Sequence, residues 1–161
     1  MAKERLAIRR AAMDYLARRE HSKVELEKKL CIRFEQNDCI ASVIDELQVQ
    51  GLQSDQRFAE NFIRWRANKG FGPLHIEQDL KHKGVNDTDI QQAFKENNIN
   101  WQVLIEQQYI KKYGLTMPQD INSKARCQRF LLSRGFSFSQ INALWQQIAA
   151  QAVDVVSTRH E

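Results

Sequence analysis

Residues 54–97, SDQRFAENFIRWRANKGFGPLHIEQDLKHKGVNDTDIQQAFKEN, decide the fold. Ser54 or Asp55 caps a helix on which Phe58, Phe62 and Trp65 fall at i, i+4 and i+7, a stripe of helical period. Gly70 and Gly72 break it. Pro73 then opens a second helix, because a proline in the first turn lacks an N–H that had no helical partner there. This helix, about 73 to 83, carries Leu74, Ile76 and Leu80 and stops at Gly84; Asn86 or Asp87 caps a third running to about Asn97. The stretch spells three short helices, and Phe58, Phe62, Trp65 and Leu80 are assigned to its core.

Shifts of 50 and 51 residues carry this unit onto its neighbours. Leu30, Leu80 and Leu131 align, and with them Ile40, Ile90 and Ile141, then Ile44, Phe94 and Trp145. Earlier in each unit Ile8, Phe58 and Tyr109 share a register, as do Ala12, Phe62 and Tyr113. Such a period is the mark of stacked supersecondary units, each burying its apolar face partly against its neighbours. The expected fold is all-α: a tandem array of three three-helix repeats, over 1–52, 53–99 and 100–152, forming an elongated body, with a frayed tail at 153–161. Helices are expected near 3–19, 23–35 and 39–50 in the first repeat, and near 123–134 in the third. Ser22 with Glu25 and Ser137 with Gln140 are capping boxes. Gly84 and Gly135 stop the middle helices of the second and third repeats, whereas the first has Phe34 at that place. Pro118 lies in a longer connection.

The chain has 161 residues, with 24 Lys and Arg against 20 Asp and Glu, a formal charge of +4. That excess is a weak pointer to a polyanionic partner. Its distribution says more: Ile121 to Val153 contains no acidic residue but carries Lys124, Arg126, Arg129 and Arg134. In the second repeat Arg57 and Arg64 lie seven apart on one side of their helix, Arg66 and Lys69 are close by, and Lys81 and Lys83 follow on the next helix. These ten residues are the candidate contacts to a partner or to DNA. Phosphates would meet them by counterion release, and acidic protein surfaces would suit them as well. A solvated face, or pairing of Arg64 with Glu60 at i, i+4, explains any single one equally well. The run Arg5, Arg9, Arg10, Arg18 and Arg19 is interleaved with Glu4, Asp14 and Glu20 and reads as a solvated helix face.

Catalytic patterns are missing: there is no GxSxG elbow, P-loop or HExxH pair. The chain is read as a non-enzyme with no catalytic residue, metal or cofactor. Cys31, Cys39 and Cys127 show no CxxC spacing, and His75 and His82, seven apart, are poorly spaced for one metal. Reduced thiols, no signal peptide and no long apolar run point to a cytoplasmic protein without a membrane segment.

GLQSDQRFAENFIRWRANKGFGP, from Gly51 to Pro73, followed by Leu80, Lys83, Gly84 and Val85, resembles the signature of the RecX family, regulators of the bacterial recombinase RecA. The family pattern is a Gly-Leu turn, an acidic residue, Arg-Phe-Ala, an Arg-rich helix, Gly-x-Gly-Pro and a helix ending in Lys-Gly. Every landmark is kept, with Gln53 and Gln56 where relatives are often acidic or apolar; Leu131, Leu132, Arg134, Gly135 and Phe136 also fit. The resemblance implies a curved array lying in the groove of a RecA filament on single-stranded DNA. It implies inhibition of filament extension, and so of strand exchange, ATP hydrolysis and the coprotease activity behind the SOS response. Implied partners are the RecA filament and single-stranded DNA within or near it, with weak duplex DNA binding, for a monomer that touches no membrane. The motif itself supports Arg57, Arg64, Arg66 and Lys69. The rival readings are a general DNA-binding protein of helix-turn-helix-like modules and an assembly scaffold without nucleic acid.

Overall fold

The structure, a computed structural model, describes residues 1–158; the last three residues of the expected tail lie outside the described residues. The described chain is helix and connection without strand. In order, α1 is Ala2–Arg18, α2 Lys23–Phe34, α3 Cys39–Val49, α4 Asp55–Asn68 and α5 Pro73–His82. Then follow α6 Asp87–Asn97, α7 Trp101–Tyr113, α8 Ile121–Arg134 and α9 Phe138–Ser157. The last helix continues past Val153, where a frayed tail was expected, with its final residues exposed. None of the described helices is long and apolar enough to cross a membrane.

Local chemistry accounts for most boundaries. Ser22 accepts from the Glu25 N–H while the Glu25 carboxylate accepts from the Ser22 N–H, and Ser137 and Gln140 repeat the arrangement. Ser54 caps α4, accepting from the Arg57 N–H at 3.2 Å; Asn86, Asn100 and Asp120 cap α6, α7 and α8. Gly135 ends α8 in the left-handed region at φ +98°. In the first repeat α2 runs through Phe34, and Glu35 takes the left-handed turn at φ 51° despite its Cβ.

The chain divides into two compact units, one of Met1–Arg64 with Gln78–Asn98 and the other of Trp65–Glu77 with the chain from Ile99 onward. Two of the three boundaries fall inside helices, α4 and α5, and the third between α6 and α7. The first unit is centred on Ile8, Ala11, Ala12, Leu26, Leu30, Ile40, Val43, Ile44 and Leu47, drawn from α1, α2 and α3. Phe58, Ala59, Ile63, Leu80, Val85, Ile90 and Ala93 are also buried in it. The second is centred on Ile105, Tyr109, Cys127, Leu131, Phe136, Ile141, Leu144, Trp145 and Ile148.

Three of the five aligned sets are interior throughout: Leu30, Leu80 and Leu131 are all buried, as are Ile40, Ile90 and Ile141 and Ile8, Phe58 and Tyr109, whereas Phe94, Phe62 and Tyr113 in the other two are half-buried. Trp65 is the exception to the expected core. It is 54% exposed, and Phe62 is half-buried. At about 100° per residue, Trp65 points about 120° away from Ala59, and the buried face of α4 is centred on Ala59 and Ile63, so the aromatic stripe forms one margin of that face.

Two junctions hold the units together internally. In the first, Ser22 Oγ donates to the Lys83 carbonyl at 2.8 Å, and the buried Gln53 donates through Nε2 to the His21 carbonyl at 3.2 Å and to Asp55 Oδ1 at 3.0 Å. Asp55 also accepts from the Lys23 N–H at 2.8 Å. In the second, the Gly72 N–H donates to the Arg134 carbonyl at 2.7 Å and the Leu74 N–H to the Gly135 carbonyl at 3.0 Å. A Cβ on Gly72 would lie 2.5 Å from the Gly135 carbonyl carbon, so the Gly-x-Gly-Pro segment is a backbone-to-backbone docking joint. The connection through Pro118 is tied down by the Tyr109 hydroxyl, which donates to the Thr116 carbonyl at 2.5 Å, and by Met117, which packs on the core.

Candidate functional site

The ten candidate cations separate by what meets their charge. In the first unit Arg57 Nε donates to Glu20 Oε1 at 2.9 Å, and Lys83 Nζ to Glu25 Oε1 at 2.8 Å. Glu25 also accepts from Arg19, and although burial opposes its ionisation, the hydrogen bonds from Lys83 and Arg19 outweigh it and hold its carboxyl below the ordinary value. Lys81 Nζ lies 3.8 Å from Asp87. Arg64 turns to Asn61 and to Asn97 Oδ1 at 3.0 Å; Glu60 accepts instead from Gln56 at 3.1 Å. Lys83 and Arg57 thus brace the fold with carboxylates.

The second unit treats its cations differently. The Arg66 guanidinium lies 3.7 Å from the Phe71 ring centre, and Arg134 lies over the same ring at 5.0 Å and over Phe130 at 5.4 Å. Lys112 Nζ sits 3.9 Å from the Phe130 ring centre. Phe130 in turn packs edge-on against Tyr113, with centroids 5.8 Å apart. The order Arg66, Phe71, Arg134, Phe130, Lys112 is a ladder of alternating charge and ring, built from the end of α4, the Gly-x-Gly-Pro segment, α8 and the last turn of α7. The docking joint at Gly72 and Gly135 sets Phe71 beside Arg134.

A ring face attracts a cation by about 0.5–1 kcal/mol at an exposed site, and unlike a carboxylate it leaves the charge in place. It also restrains a side chain that would otherwise lose roughly 1.5–2 kcal/mol of rotamer freedom on binding a partner. Lys112 and Arg134 have no carboxylate partner among the described residues. Burial pushes the Tyr113 hydroxyl and the Cys127 thiol up, so both stay neutral at ordinary pH and add no opposing charge. The ladder is a preorganised cationic surface.

Around it, Arg126, Arg129 and Phe130 share one side of α8 at i, i+3 and i+4, with Arg126 and Arg129 exposed. Lys124 projects elsewhere, over Trp145 at 5.8 Å, and Lys69 is exposed at the end of α4. Of the ten candidates the structure brings Arg66 and Arg134 together. Lys112, Phe71 and Phe130 escaped the sequence reading. Lys112 ends a helix whose apolar stripe drew attention, and an aromatic next to an arginine in three dimensions has no linear signature. His75 stacks on Phe71 at 4.7 Å between centroids, and His82 bonds the Gln78 carbonyl at 2.9 Å, so each imidazole is engaged locally. Among the described residues no group of three or more His, Cys, Asp or Glu could hold a metal ion.

Comparison with known proteins identifies the family. Residues 54–93 match the model of the second three-helix domain of RecX, and residues 102–145 match that of the third. The chain is 42% identical over 139 residues to "Regulatory protein RecX" of Pseudomonas entomophila (strain L48), covering 86% of this chain and 90% of the relative. It is 40% identical over 139 residues to the protein of the same name from Pseudomonas fluorescens (strain SBW25). Among solved structures, RecX from Lactobacillus salivarius superposes with a TM-score of 0.75 at 24% identity, over 93% of this chain and 99% of that one. A second structure, of a regulatory protein RecX, gives 0.77 at 22% identity, over 90% of this chain and 74% of the other. With its second and third helical triplets each matched, and a relative followed over nine-tenths of that relative's length, this chain belongs to the RecX family of regulatory proteins.

Proposed function

We propose that this chain is a non-catalytic, cytoplasmic regulator that docks on the RecA filament formed on single-stranded DNA. There it inhibits filament extension and with it the recombinase, ATPase and coprotease activities. Membership in the RecX family supports the choice of RecA, and the ladder of Arg66, Arg134 and Lys112 on Phe71 and Phe130 carries the reading. Lys112 and Arg134, immobilised on rings without a carboxylate partner among the described residues, suit a polyanionic assembly, and the acid-free stretch from Ile121 to Val153 adds no repulsion to an approaching phosphate. Arg126, Arg129 and Lys69, exposed beside or beyond the ladder, extend the contact surface, as does Lys124. Arg57, Arg64, Lys81 and Lys83 reach the partner after exchanging their present intramolecular partners. The role needs docking alone, with no group transferred and no cofactor.

The test is RecA-catalysed ATP hydrolysis on single-stranded DNA, titrated with this protein. Hydrolysis falls at protein concentrations at least tenfold below those that give measurable binding to bare duplex or single-stranded DNA. The double reversal Lys112→Glu with Arg134→Glu shifts the inhibitory midpoint at least tenfold while far-ultraviolet circular dichroism stays unchanged. Equal affinity for naked DNA and for filament would instead favour a general DNA-binding protein, and undiminished inhibition by the double variant would remove the ladder from the interface.

A further inference from the structure

We propose that the outward face of α1, with the end of α2, is a second docking surface, one that takes an acidic amphipathic helix of a protein partner. It belongs to the first unit, shares no residue with the ladder and does not rest on the filament reading.

The face is a regular seam. Lys3, Leu6, Ala7, Arg10, Met13 and Asp14 follow one another at i, i+3, i+4, i+7, i+10 and i+11, the spacing by which one helix presents a stripe to another. The opposite stripe of α1, Ile8, Ala11 and Ala12, is already buried in the core, so α1 has an apolar component on two sides. Leu6 is 66% exposed and Met13 is 36% exposed. Together with Arg33 and Phe34 at the end of α2, the seam lines a groove of about 730 Å³.

Its charge is one-sided. Lys3, Arg9, Arg10 and Arg33 line it against the single carboxylate of Asp14. Arg9 donates to the neutral Gln50 at 2.8 Å and Arg33 lies over the Phe34 ring at 5.6 Å, so neither charge is cancelled. Lys3 and Arg10 have no ion-pair partner among the described residues. These cations rim an apolar floor of Leu6, Ala7, Met13 and Phe34.

That combination selects among occupants. A second copy of this chain seated on the same face would bring like charges together, which is unfavourable for an isologous contact. Nucleic acid would satisfy the cations but leave Leu6 and Met13 uncovered, since phosphates make no use of an aliphatic floor. A helix with apolar residues on one side and Asp or Glu flanking them covers the floor and meets the rim at once, the helix-in-groove mode of recognition. Leu6 and Met13, seven apart, supply knobs for two successive turns of such a helix.

The experiment uses the full chain and a fluorescein-labelled helical peptide of leucines at i, i+3, i+4 and i+7 flanked by glutamates, read by fluorescence anisotropy. A scrambled peptide of identical composition, the lysine-for-glutamate peptide and a labelled oligothymidylate serve as comparisons. The acidic amphipathic peptide binds with Kd on the order of tens of micromolar and at least tenfold more tightly than any comparison. Leu6→Asp and Arg10→Glu each weaken it tenfold or more without changing helicity, and amide chemical shifts move along α1 and the end of α2. No binding, equal binding of the scrambled peptide, stronger binding of the oligothymidylate, or shifts confined to other helices overturns the proposal. So does concentration-dependent dimerisation abolished by Leu6→Asp, which would assign the face to a second copy. None of these measurements involves RecA, so the two readings fail separately.

Discussion

Trp65 and Phe58 lie on the same helix stripe and have opposite fates, because burial depends on where the stripe sits relative to the small residues Ala59 and Ala67. Phe58→Ala, which removes a buried ring, costs roughly 3–5 kcal/mol in urea unfolding. Trp65→Ala stays within about 1 kcal/mol, since the indole is more than half exposed; a loss as large as that of Phe58 would show that it is packed. His21 gives a second prediction at this scale. Burial, aided by the nearby Arg19 and Lys29 charges, lowers its pKa from the ordinary 6.5, against the raising effects of the hydrogen bond to the Arg19 carbonyl and of Glu25. Below pH 6.5 the unfolded chain therefore binds a proton that the folded chain resists, and stability is lost as pH falls from there toward the folded pKa. The urea midpoint of the native chain drops between pH ~7.5 and ~5.5, and His21→Gln, whatever its cost at neutral pH, loses less in that window. An equal drop in the variant would assign the acid sensitivity to other groups.

Among the elements, the Gly-x-Gly-Pro segment is the most informative. The string reads as a helix junction, and the structure adds what it joins: its backbone donates to the carbonyls that end α8. Gly72→Ala forces a Cβ against the backbone of Gly135 and Phe136, which cannot swing away as a side chain would. The expected loss is about 3 kcal/mol, with a lower melting temperature and a weakened ladder, because Phe71 leaves Arg134. A melting temperature within a degree or so of the native chain would mean that the two connections move apart at little cost. The Lys-Gly ending of α5 has a comparable explanation. Lys83 reaches the capping carboxylate of α2, and a Cβ on Gly84, at φ +79°, would lie 2.3 Å from Val24 Cγ2. Caps and breakers of this kind were legible residue by residue, since each depends on groups three or four positions apart. The end of α2, expected near 35 and found at Phe34, has no such breaker, and Glu35 takes the left-handed turn itself.

Across the whole molecule the surplus of positive charge is small, and its placement matters more than its sum. Carboxylates answer Arg57, Lys83 and Lys81, whereas rings answer Arg134 and Lys112. Reversing Arg126, Arg129 and Arg134 together weakens filament binding and lowers the magnitude of its slope against the logarithm of salt concentration by roughly 2–3. The helical signal in circular dichroism is retained. An unchanged slope would take α8 out of the interface and return the filament contacts to the first unit.

Helix existence, most helix ends and the threefold recurrence of buried Leu and Ile positions were set by the linear order of residues, because helical period and capping act over a few neighbours. The choice of which cations brace the fold and which face outward was made only in three dimensions. That choice depends on residues 37 to 58 positions away, Glu20 for Arg57 and Glu25 for Lys83, and on a ring such as Phe71 brought to Arg134 by packed connections. Side-chain partnership over such separations follows from how helices pack, which no local pattern encodes.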